Sequence, residues 1–525
     1  MTGMTVSLAA QITNLQRVAP EVVLCVFGMF IMLVDPFIKP ASRRVLGWIA
    51  FVGMLVALAS IYVAARHEGF AYSRLISTDN FSLFVHVVVI GAAALAILGS
   101  IDYLDREDIQ RGEFYALVLF ATAGMGILAA SNELITAFIG LEISSISSYI
   151  LCGFRRKARE SNEAAMKYFL LGSFATAFFL YGIAMIYGST GTTYIDSART
   201  ELERQIAVAG HIPMLAILGL GLIFVGLGFK VVAAPFQVYA PDVYEGAPTP
   251  VTALLASGPK AATFALMIRI FYVSFHSVSN IWFWVIWISA VLTMFIGNLG
   301  ALVQTNVKRM LAYSSIAHAG YILVAFAAST ELGVAAVLFY LAAYVLMKVG
   351  AFTVVTHLGQ QGEKRLGLQD YAGLGMKQPA LAACFSLFLL ALLGLPATGG
   401  FLGKFFAFQG TLDSARSHGA WVIALVVIAA INSVIGAYYY VRVIVAMYFW
   451  PESKDYVPTR VAPAVTFALI VAAAGTLYLG IIPGRVHSLA VSAAQSLPIQ
   501  SSPSSSSNAS LNPAALSRPF RTATR

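Results

Sequence analysis

Residues 229–238 read Phe-Lys-Val-Val-Ala-Ala-Pro-Phe-Gln-Val, which places Lys230 five residues before Pro235 inside a long apolar run. Proline removes a helix hydrogen bond and clashes with the preceding turn. Broken backbone at membrane depth is tolerated only where protein or a water-filled cavity surrounds it. The stretch therefore predicts a discontinuous membrane helix with a polar site next to a buried lysine.

A second stretch has the same character. Residues 394–404 read Gly-Leu-Pro-Ala-Thr-Gly-Gly-Phe-Leu-Gly-Lys, so Lys404 follows Pro396 by eight residues and glycines loosen the backbone between them. An ordinary proline kink is the alternative interpretation at either site, because prolines are frequent in membrane helices. Two such sites in one chain favour two discontinuous helices.

The composition around these stretches is that of a membrane protein. Of 525 residues, 59% are hydrophobic and only 11% are Asp, Glu, Lys or Arg, whereas soluble domains contain about 25% charged residues. The mean hydropathy is +0.80. A spanning helix needs about 20 apolar residues, and that length predicts about fourteen spans. We expect an all-α polytopic membrane protein, which excludes an ordinary soluble enzyme.

The positive charges alternate between successive loops, and the Lys/Arg excess marks the cytoplasmic side. This pattern predicts that both termini lie outside the cytoplasm, and an even number of spans agrees. The net charge of +9 does not indicate nucleic-acid binding, because the basic residues are dispersed in short loops. The loops with the excess contain Lys39, Arg43, Arg44, Arg155, Arg156, Lys157, Arg159, Lys308, Arg309, Lys364, Arg365, Lys377, Lys454 and Arg460, and the opposite loops contain Arg66, Arg74, Arg199, Arg204 and Arg416.

Charged side chains also occur inside the predicted spans, where a central lysine costs roughly 2.5 to 3.5 kcal/mol. A buried lysine whose neighbours change can gain and lose a proton, which is the chemistry of a proton relay. Alternative interpretations are that Lys167 and Lys348 extend their ammonium groups to the membrane surface. His318 could have a structural role, and Glu142 could form a structural ion pair with a lysine. The residues in question are Lys167, Lys230, Lys260, Lys348, Lys404, Glu142 and His318.

The pattern recurs along the chain. Lys167 and Lys348 are about 180 positions apart, and Pro235 and Pro396 about 160. Spans four to eight and nine to thirteen therefore resemble two copies of a five-helix unit, inverted because each copy has an odd number of spans. The predicted divisions are an N-terminal three-helix part, two repeats, a last helix and a disordered Ser-rich tail, at residues 1–112, 113–276, 277–450, 451–498 and 499–525.

Three runs resemble the antiporter-like membrane subunits of respiratory complex I. They are residues 226–253, with Gly-Leu-Gly-Phe-Lys and Pro-Asp-Val-Tyr-Glu-Gly-Ala-Pro; residues 306–321, with Asn-Val-Lys-Arg-Met-Leu-Ala-Tyr-Ser-Ser-Ile-Ala-His-Ala-Gly-Tyr; and residues 394–405. The Pro-Asp-Val-Tyr-Glu-Gly-Ala-Pro run is similar to the subunit N branch of that family. The resemblance covers spans four to thirteen.

The resemblance implies a subunit that couples NADH oxidation and quinone reduction in partner subunits to proton transport. It implies a coupled acid–lysine pair in Glu142 and Lys230, a central connection in Lys260 and His318, and a terminal relay in Lys404. Lys167 and Lys348 match charged family positions with a supporting role. The implied partners are other membrane-arm subunits, including the antiporter-like sister subunits, within a bacterial inner membrane.

The chain itself shows no signature of a cofactor or metal site. Cys25, Cys152 and Cys384 lie far apart in apolar runs, without a Cys-x-x-Cys motif or a Cys/His cluster. We expect flavin, iron–sulfur clusters and quinone on partner subunits. Two alternatives stay open: a subunit of a multi-subunit cation/proton antiporter of the same fold, and a scaffold whose buried charges only bind neighbouring subunits.

Overall fold

The computed structural model describes residues 8–414, 419–452 and 458–499. A helix lies at each of the fourteen predicted apolar segments, and twelve helical segments among the described residues are long and apolar enough to cross a membrane. The predicted all-α membrane class is confirmed, while the count of fourteen spans and the inversion of the repeats stay predictions. The predicted tail lies outside the described residues except for Ile499, and so do Arg416 and Lys454.

The N-terminal part has one more helix than the sequence predicted, because a short amphipathic helix precedes the first span. An antiparallel hairpin of strands β1 (Gly69–Ala71) and β2 (Ile76–Thr78) connects its last two helices. The helices are α1 (Leu8–Arg17), α2 (Ala19–Val34), α3 (Arg44–Ala65) and α4 (Asn80–Arg106).

The region of the first predicted repeat contains a broken helix, α9 and α10, before its last long helix. That long helix continues as a π-helical turn at Arg269–Ser274. The helices are α5 (Gly112–Ala130), α6 (Leu134–Cys152), α7 (Arg159–Thr190), α8 (Ile195–Ala209), α9 (Met214–Val231), α10 (Ala240–Gly246) and α11 (Thr249–Ile268).

The region of the second repeat has the same order of elements, with its broken helix formed by α16 and α17. Two further helices complete the described chain. The helices are α12 (Ser279–Leu302), α13 (Val307–Phe326), α14 (Glu331–Leu358), α15 (Leu374–Lys377), α16 (Pro379–Leu393), α17 (Gly399–Asp413), α18 (Ala420–Phe449), α19 (Pro463–Ile481) and α20 (Gly484–Gln495).

The centre of the bundle is built from α11 and α14, which pack against each other. In the most apolar window of the α11 segment 94% of the residues are buried, against 28% in α18. A helix that is apolar all round is either buried in protein or exposed to lipid. Here α11 and α14 bring their polar side chains into the protein interior, while α18 exposes apolar side chains at the periphery.

The first break has its free backbone groups satisfied by α12. After α9 ends, Val232 takes a left-handed conformation with φ 66°, which is rare for a β-branched residue. Ala234 then donates its backbone N–H to Thr293 Oγ1 at 2.7 Å and accepts from Ser289 Oγ at 2.7 Å. The discontinuity predicted at Pro235 is therefore real and is held by side chains of the second half of the chain.

The second break lies between α16 and α17 and brings two backbone segments into close contact. Gly394 has φ 98°. A Cβ on Gly400 would lie 1.8 Å from the carbonyl oxygen of Ala391, so only glycine fits there. Lys404 donates to the free carbonyl of Leu393 at 2.8 Å. The discontinuity predicted at Pro396 is also real, and a buried lysine caps it.

Two segments treated as loops in the sequence contain helices. The polar stretch 188–211 includes α8, which buries Ile195, Ala198 and Leu202 along one face. A search for apolar runs of spanning length misses such an amphipathic surface helix. The charged stretch 358–378 likewise contains α15 and two short 3₁₀ helices, at Gln361–Glu363 and Leu368–Tyr371.

Candidate functional site

Five of the seven charged or titratable residues predicted within the spans lie inside the protein. Each is at most 7% exposed. Because an unpartnered charge at membrane depth is costly, the groups that surround these side chains decide what they can do. The five residues are Lys230, Lys260, His318, Lys348 and Lys404.

Lys230 lies in the last turn of α9, next to the first break. Its ammonium donates to the hydroxyl of Tyr149 at 3.0 Å. It also lies 5.0 Å from the ring centre of Tyr149 and 5.3 Å from that of Tyr168. Ring faces attract a cation, so Lys230 is held by an aromatic cage rather than by an ion pair.

Glu142 does not form the ion pair with a lysine that the sequence suggested. Its Oε1 is buried and has no hydrogen-bond partner, and no basic nitrogen of the described residues lies within 4.0 Å of its carboxylate. Tyr149, two turns along α6 on the same face as Glu142, contacts Lys230 instead.

Lys260 lies at the centre of the bundle on α11. Its ammonium donates to the backbone oxygen of Ser315 on α13 at 2.8 Å and to the hydroxyl of the same residue at 2.6 Å. That hydroxyl is also 2.6 Å from the hydroxyl of Tyr344 on α14. Lys260 is thus the first member of a short hydrogen-bonded chain that links three helices.

Lys348 and His318 are connected by a second hydrogen-bonded chain. Lys348 donates to the backbone oxygen of Leu311 at 2.7 Å and to the hydroxyl of Ser314 at 2.9 Å. The Ser314 hydroxyl bonds the hydroxyl of Tyr440, which lies 3.2 Å from His318 Nε2. Serine and tyrosine hydroxyls can both donate and accept, so this chain is continuous from an ammonium to an imidazole.

His318 also lies close to both hydrogen-bonded chains. Its Nδ1 lies 2.9 Å from the hydroxyl of Tyr340, and its ring centre is 5.3 Å from that of Tyr344. The two serines that hold the lysines, Ser314 and Ser315, are neighbours on α13, one turn before the histidine. Lys260, Lys348 and His318 therefore lie in one compact cluster, and the central connection between Lys260 and His318 stays a prediction.

Lys404 lies on the other side of His318. It donates to the backbone oxygen of Leu393 and to the hydroxyl of Ser433, each at 2.8 Å. Its ammonium is 4.7 Å from the ring centre of Tyr321, which is 5.7 Å from the His318 ring. Tyr321 thus contacts Lys404 and lies close to His318.

Three of the buried lysines have the same pair of partners, one backbone carbonyl and one serine hydroxyl. No carboxylate of the described residues lies within 4.0 Å of Lys260, Lys348 or Lys404, whereas Lys167 and Lys308 are both paired with carboxylates. A carbonyl accepts from an ammonium or an amine, and a serine hydroxyl accepts from the first and donates to the second. These partners fit both protonation states of lysine.

Comparison with known proteins adds to this geometry. Residues 131–436 match the family model described as NADH:quinone oxidoreductase/Mrp antiporter, TM. The NADH-quinone oxidoreductase subunit N 1 of Solibacter usitatus is 48% identical over 94% of this chain and 100% of its own length. The chain belongs to the subunit N family.

Solved structures share the fold of this subunit N chain. A chain of respiratory complex I from Thermus thermophilus, with bound aureothin, is 34% identical over 90% of this chain and 99% of its own length, with a TM-score of 0.74. A chain of the Mrp complex from Dietzia superposes with a TM-score of 0.79 over 92% of this chain and 97% of its own length, at 21% identity. The second likeness shows the common fold alone.

Lys167 of the subunit N chain is not one of the buried lysines. Its side chain is 39% exposed and pairs with Asp242 at 2.7 Å and with Glu163 at 2.8 Å. Asp242 also accepts from Arg309 at 2.9 Å. Because α7, α10 and α13 carry these residues, the exposed network ties the short helix after the first break to its neighbours.

Sequence reasoning missed a buried ion cluster around Glu363, in the loop after α14. Its carboxylate accepts from Lys308 at 2.7 Å, and from the Tyr103 hydroxyl and the Thr249 backbone N–H at 2.8 Å each. Burial opposes ionisation, but Lys308 and Arg155 together hold the pKa of Glu363 below its ordinary value. The cluster joins the N-terminal helices to both halves of the subunit N fold.

The hydroxyl groups that bond the lysines were also not predicted from the sequence. Ser314 and Ser315 stand in the run 306–321 quoted above, four and three residues before His318, and this i, i+4 spacing could have indicated a polar helix face. The tyrosine partners come from α14 and α18, far away in sequence. Among the residues that the structure describes, no group of three His, Cys, Asp or Glu side chains could hold a metal ion.

Proposed function

We propose that this subunit N chain carries protons across the membrane as a membrane-arm subunit of an NADH-quinone oxidoreductase. The proposed path runs through Lys230, Lys260, His318 and Lys404, with Glu142 as the acid that acts on the first lysine. The observation that carries the proposal is the partner set of the central lysines. A carbonyl with a serine hydroxyl accommodates both charged and neutral lysine, as repeated proton transfer requires.

The hydroxyl chains supply the links between these titratable groups. A hydroxyl that accepts a hydrogen bond from an ammonium can take its proton while releasing its own to the next acceptor. The chain from Lys348 through Ser314 and Tyr440 to His318 has this form. Lys348 therefore serves as a side branch that exchanges protons with the central histidine.

Glu142 influences the protonation of Lys230 by its charge rather than by direct contact. An ionised carboxylate near Lys230 favours the charged form of the lysine, and its protonation removes that influence. Lys230 would then release its proton toward Lys260. The separation of the two groups allows their charges to change without breaking a short ion pair.

Electron transfer takes place in partner subunits, where flavin, iron–sulfur clusters and quinone bind. The relatives are named as subunits of NADH-quinone oxidoreductase, and we assign this chain the same membership. Its inner-membrane orientation places both termini on the periplasmic side, supported by the charge alternation of the loops.

A subunit of a multi-subunit cation/proton antiporter of the same fold is the second candidate, because the matching family model is described for both NADH:quinone oxidoreductase and Mrp antiporter. Purification of the chain from its native membrane separates the two. Co-isolation with an NADH-oxidising peripheral arm supports the proposal. Isolation without such an arm, together with cation transport by the purified chain, would overturn it.

The relay itself is tested in the assembled complex with Lys230→Ala and Glu142→Ala. Both variants should assemble and lose most NADH-driven proton pumping, while Lys364→Ala, an exposed loop variant, should keep it. Full pumping by both of the first two variants would refute the relay and support the scaffold alternative, in which the buried charges only bind neighbouring subunits.

A further inference from the structure

A buried carboxyl–imidazole pair lies in the N-terminal helices, outside the residues that match the family model. Glu21 Oε1 on α2 is 2.5 Å from His86 Nε2 on α4, and their side chains are 8% and 6% exposed. Neither residue belongs to the row of lysines, and the path proposed above does not use them. Ionisable side chains are costly to bury at membrane depth and often mark functional sites.

The hydrogen-bond geometry fixes the number of protons that the pair holds. His86 Nδ1 lies 2.6 Å from the backbone oxygen of Ser82. A carbonyl oxygen can only accept, so Nδ1 carries a hydrogen. The contact between Nε2 and Glu21 Oε1 then needs one further hydrogen. The pair is either a carboxylic acid with a neutral imidazole or a carboxylate with an imidazolium, and both forms hold one proton that can move between the two atoms.

The second carboxyl oxygen of Glu21 has no partner. Glu21 Oε2 is buried and makes no hydrogen bond to the described residues. Buried polar atoms are nearly always satisfied, so this atom indicates a place for a proton or a water molecule. A Cβ on Gly126 of α5 would lie 2.8 Å from Oε1 and 2.9 Å from His86 Nε2. The α5 backbone therefore closes over the pair and separates it from the lipid.

A polar cavity lies at the start of α4, where Asp79 lines it, while Glu21 and His86 do not. It has a volume of about 420 Å³, and Asp79, Asn132, Asp196 and Arg269 contribute to its lining. Asp79 caps α4 by accepting from the Ser82 backbone N–H at 2.8 Å and accepts from Arg269 at 2.7 Å.

Ser82 thus contacts the wall of the cavity through its N–H and the histidine through its carbonyl. The titratable and charged groups around the pair are Cys25 on α2, Asp79 before α4 and Arg269 after α11, while α5 presents the Gly126 backbone.

We propose that Glu21 and His86 form a proton-binding site that exchanges its proton with the side of the membrane on which this cavity opens. In the exchange, the proton leaves Oε1 or Nε2 for water in the cavity, and the pair is left as a carboxylate with a neutral imidazole. Return of a proton from the cavity restores the starting state. The lysine row takes no part in this step.

Infrared difference spectroscopy of the purified complex during a pH change tests the site. The wild-type protein should show paired carboxyl and imidazole bands that are lost in Glu21→Gln and in His86→Gln, together with about one proton fewer taken up per complex. Glu113→Gln, which removes an exposed carboxyl on α5, should keep both signals.

Identical spectra and proton uptake in wild type and Glu21→Gln would overturn the proposal. If Glu21→Gln fails to assemble, His86→Gln with the same two measurements decides. In proteoliposomes, the bands should respond to a pH change on the side that the cavity faces. A response confined to the opposite side would also overturn the assignment.

Discussion

Replacing Ser315 with alanine removes the hydroxyl that lies between Lys260 and Tyr344 and leaves the rest of the cluster in place. Lys260 keeps its 2.8 Å contact to the Ser315 backbone oxygen but loses the 2.6 Å contact to the hydroxyl. A hydrogen bond to a charged group contributes about 1.5 to 3 kcal/mol. Because about 1.4 kcal/mol corresponds to a factor of ten in rate, proton transfer at Lys260 should slow roughly 10- to 100-fold.

The assay is NADH-driven acidification of proteoliposomes that contain the assembled complex, followed with a pH-sensitive dye. The matched control is Ser257→Ala. Ser257 is fully buried on α11, the helix of Lys260, and its hydroxyl bonds only the carbonyls of its own helix among the described residues. The control should pump at the wild-type rate. Equal pumping by wild type and Ser315→Ala would refute the assignment of this hydroxyl to the proton path.

Three further outcomes follow from other contacts. Glu363→Gln leaves Lys308 buried without its carboxylate and should destabilise the complex by about 3 to 5 kcal/mol, which a lower melting temperature would show. The pKa of Glu363 is lowered in the folded protein, so its contribution to stability is complete above about pH 4.3, the ordinary pKa of a glutamate. This contribution is lost as the pH falls through the folded-state pKa. Thr293→Val leaves the Ala234 N–H unsatisfied and should cost about 1 to 3 kcal/mol in the same assay, and an unchanged melting temperature would contradict the role of α12 in holding the break. Lys364→Cys should react with an impermeant maleimide in inside-out vesicles and not in spheroplasts, and the reverse result would invert the proposed orientation.

The sequence predicted the features that depend on local chemistry. Proline and glycine in apolar runs indicated both broken helices, and the position of Lys230 and Lys404 within those runs indicated their burial. A membrane helix cannot hide a lysine from lipid without neighbours, so burial followed from the residue type and its place in the span.

Contacts between distant helices could not be predicted in the same way. The absence of a short Glu142–Lys230 ion pair depends on how α6 packs near α9, because this packing brings Tyr149 of α6 to Lys230 instead. The hydroxyl of Tyr440 reaches His318 from α18, more than a hundred positions away in the chain. Lys167 lies within α7, a helix of spanning length as predicted, but its pairing with Asp242 of α10 could not be predicted from the sequence.

The central claim is that buried lysines without carboxylate partners carry the protons. The most direct measurement is the number of protons pumped per NADH oxidised by the reconstituted complex with Lys260→Ala, compared with wild type and with the exposed-loop variant Lys364→Ala. We expect a lower ratio or a loss of pumping in Lys260→Ala alone. A wild-type ratio in that variant, at an undiminished rate of NADH oxidation, would contradict it.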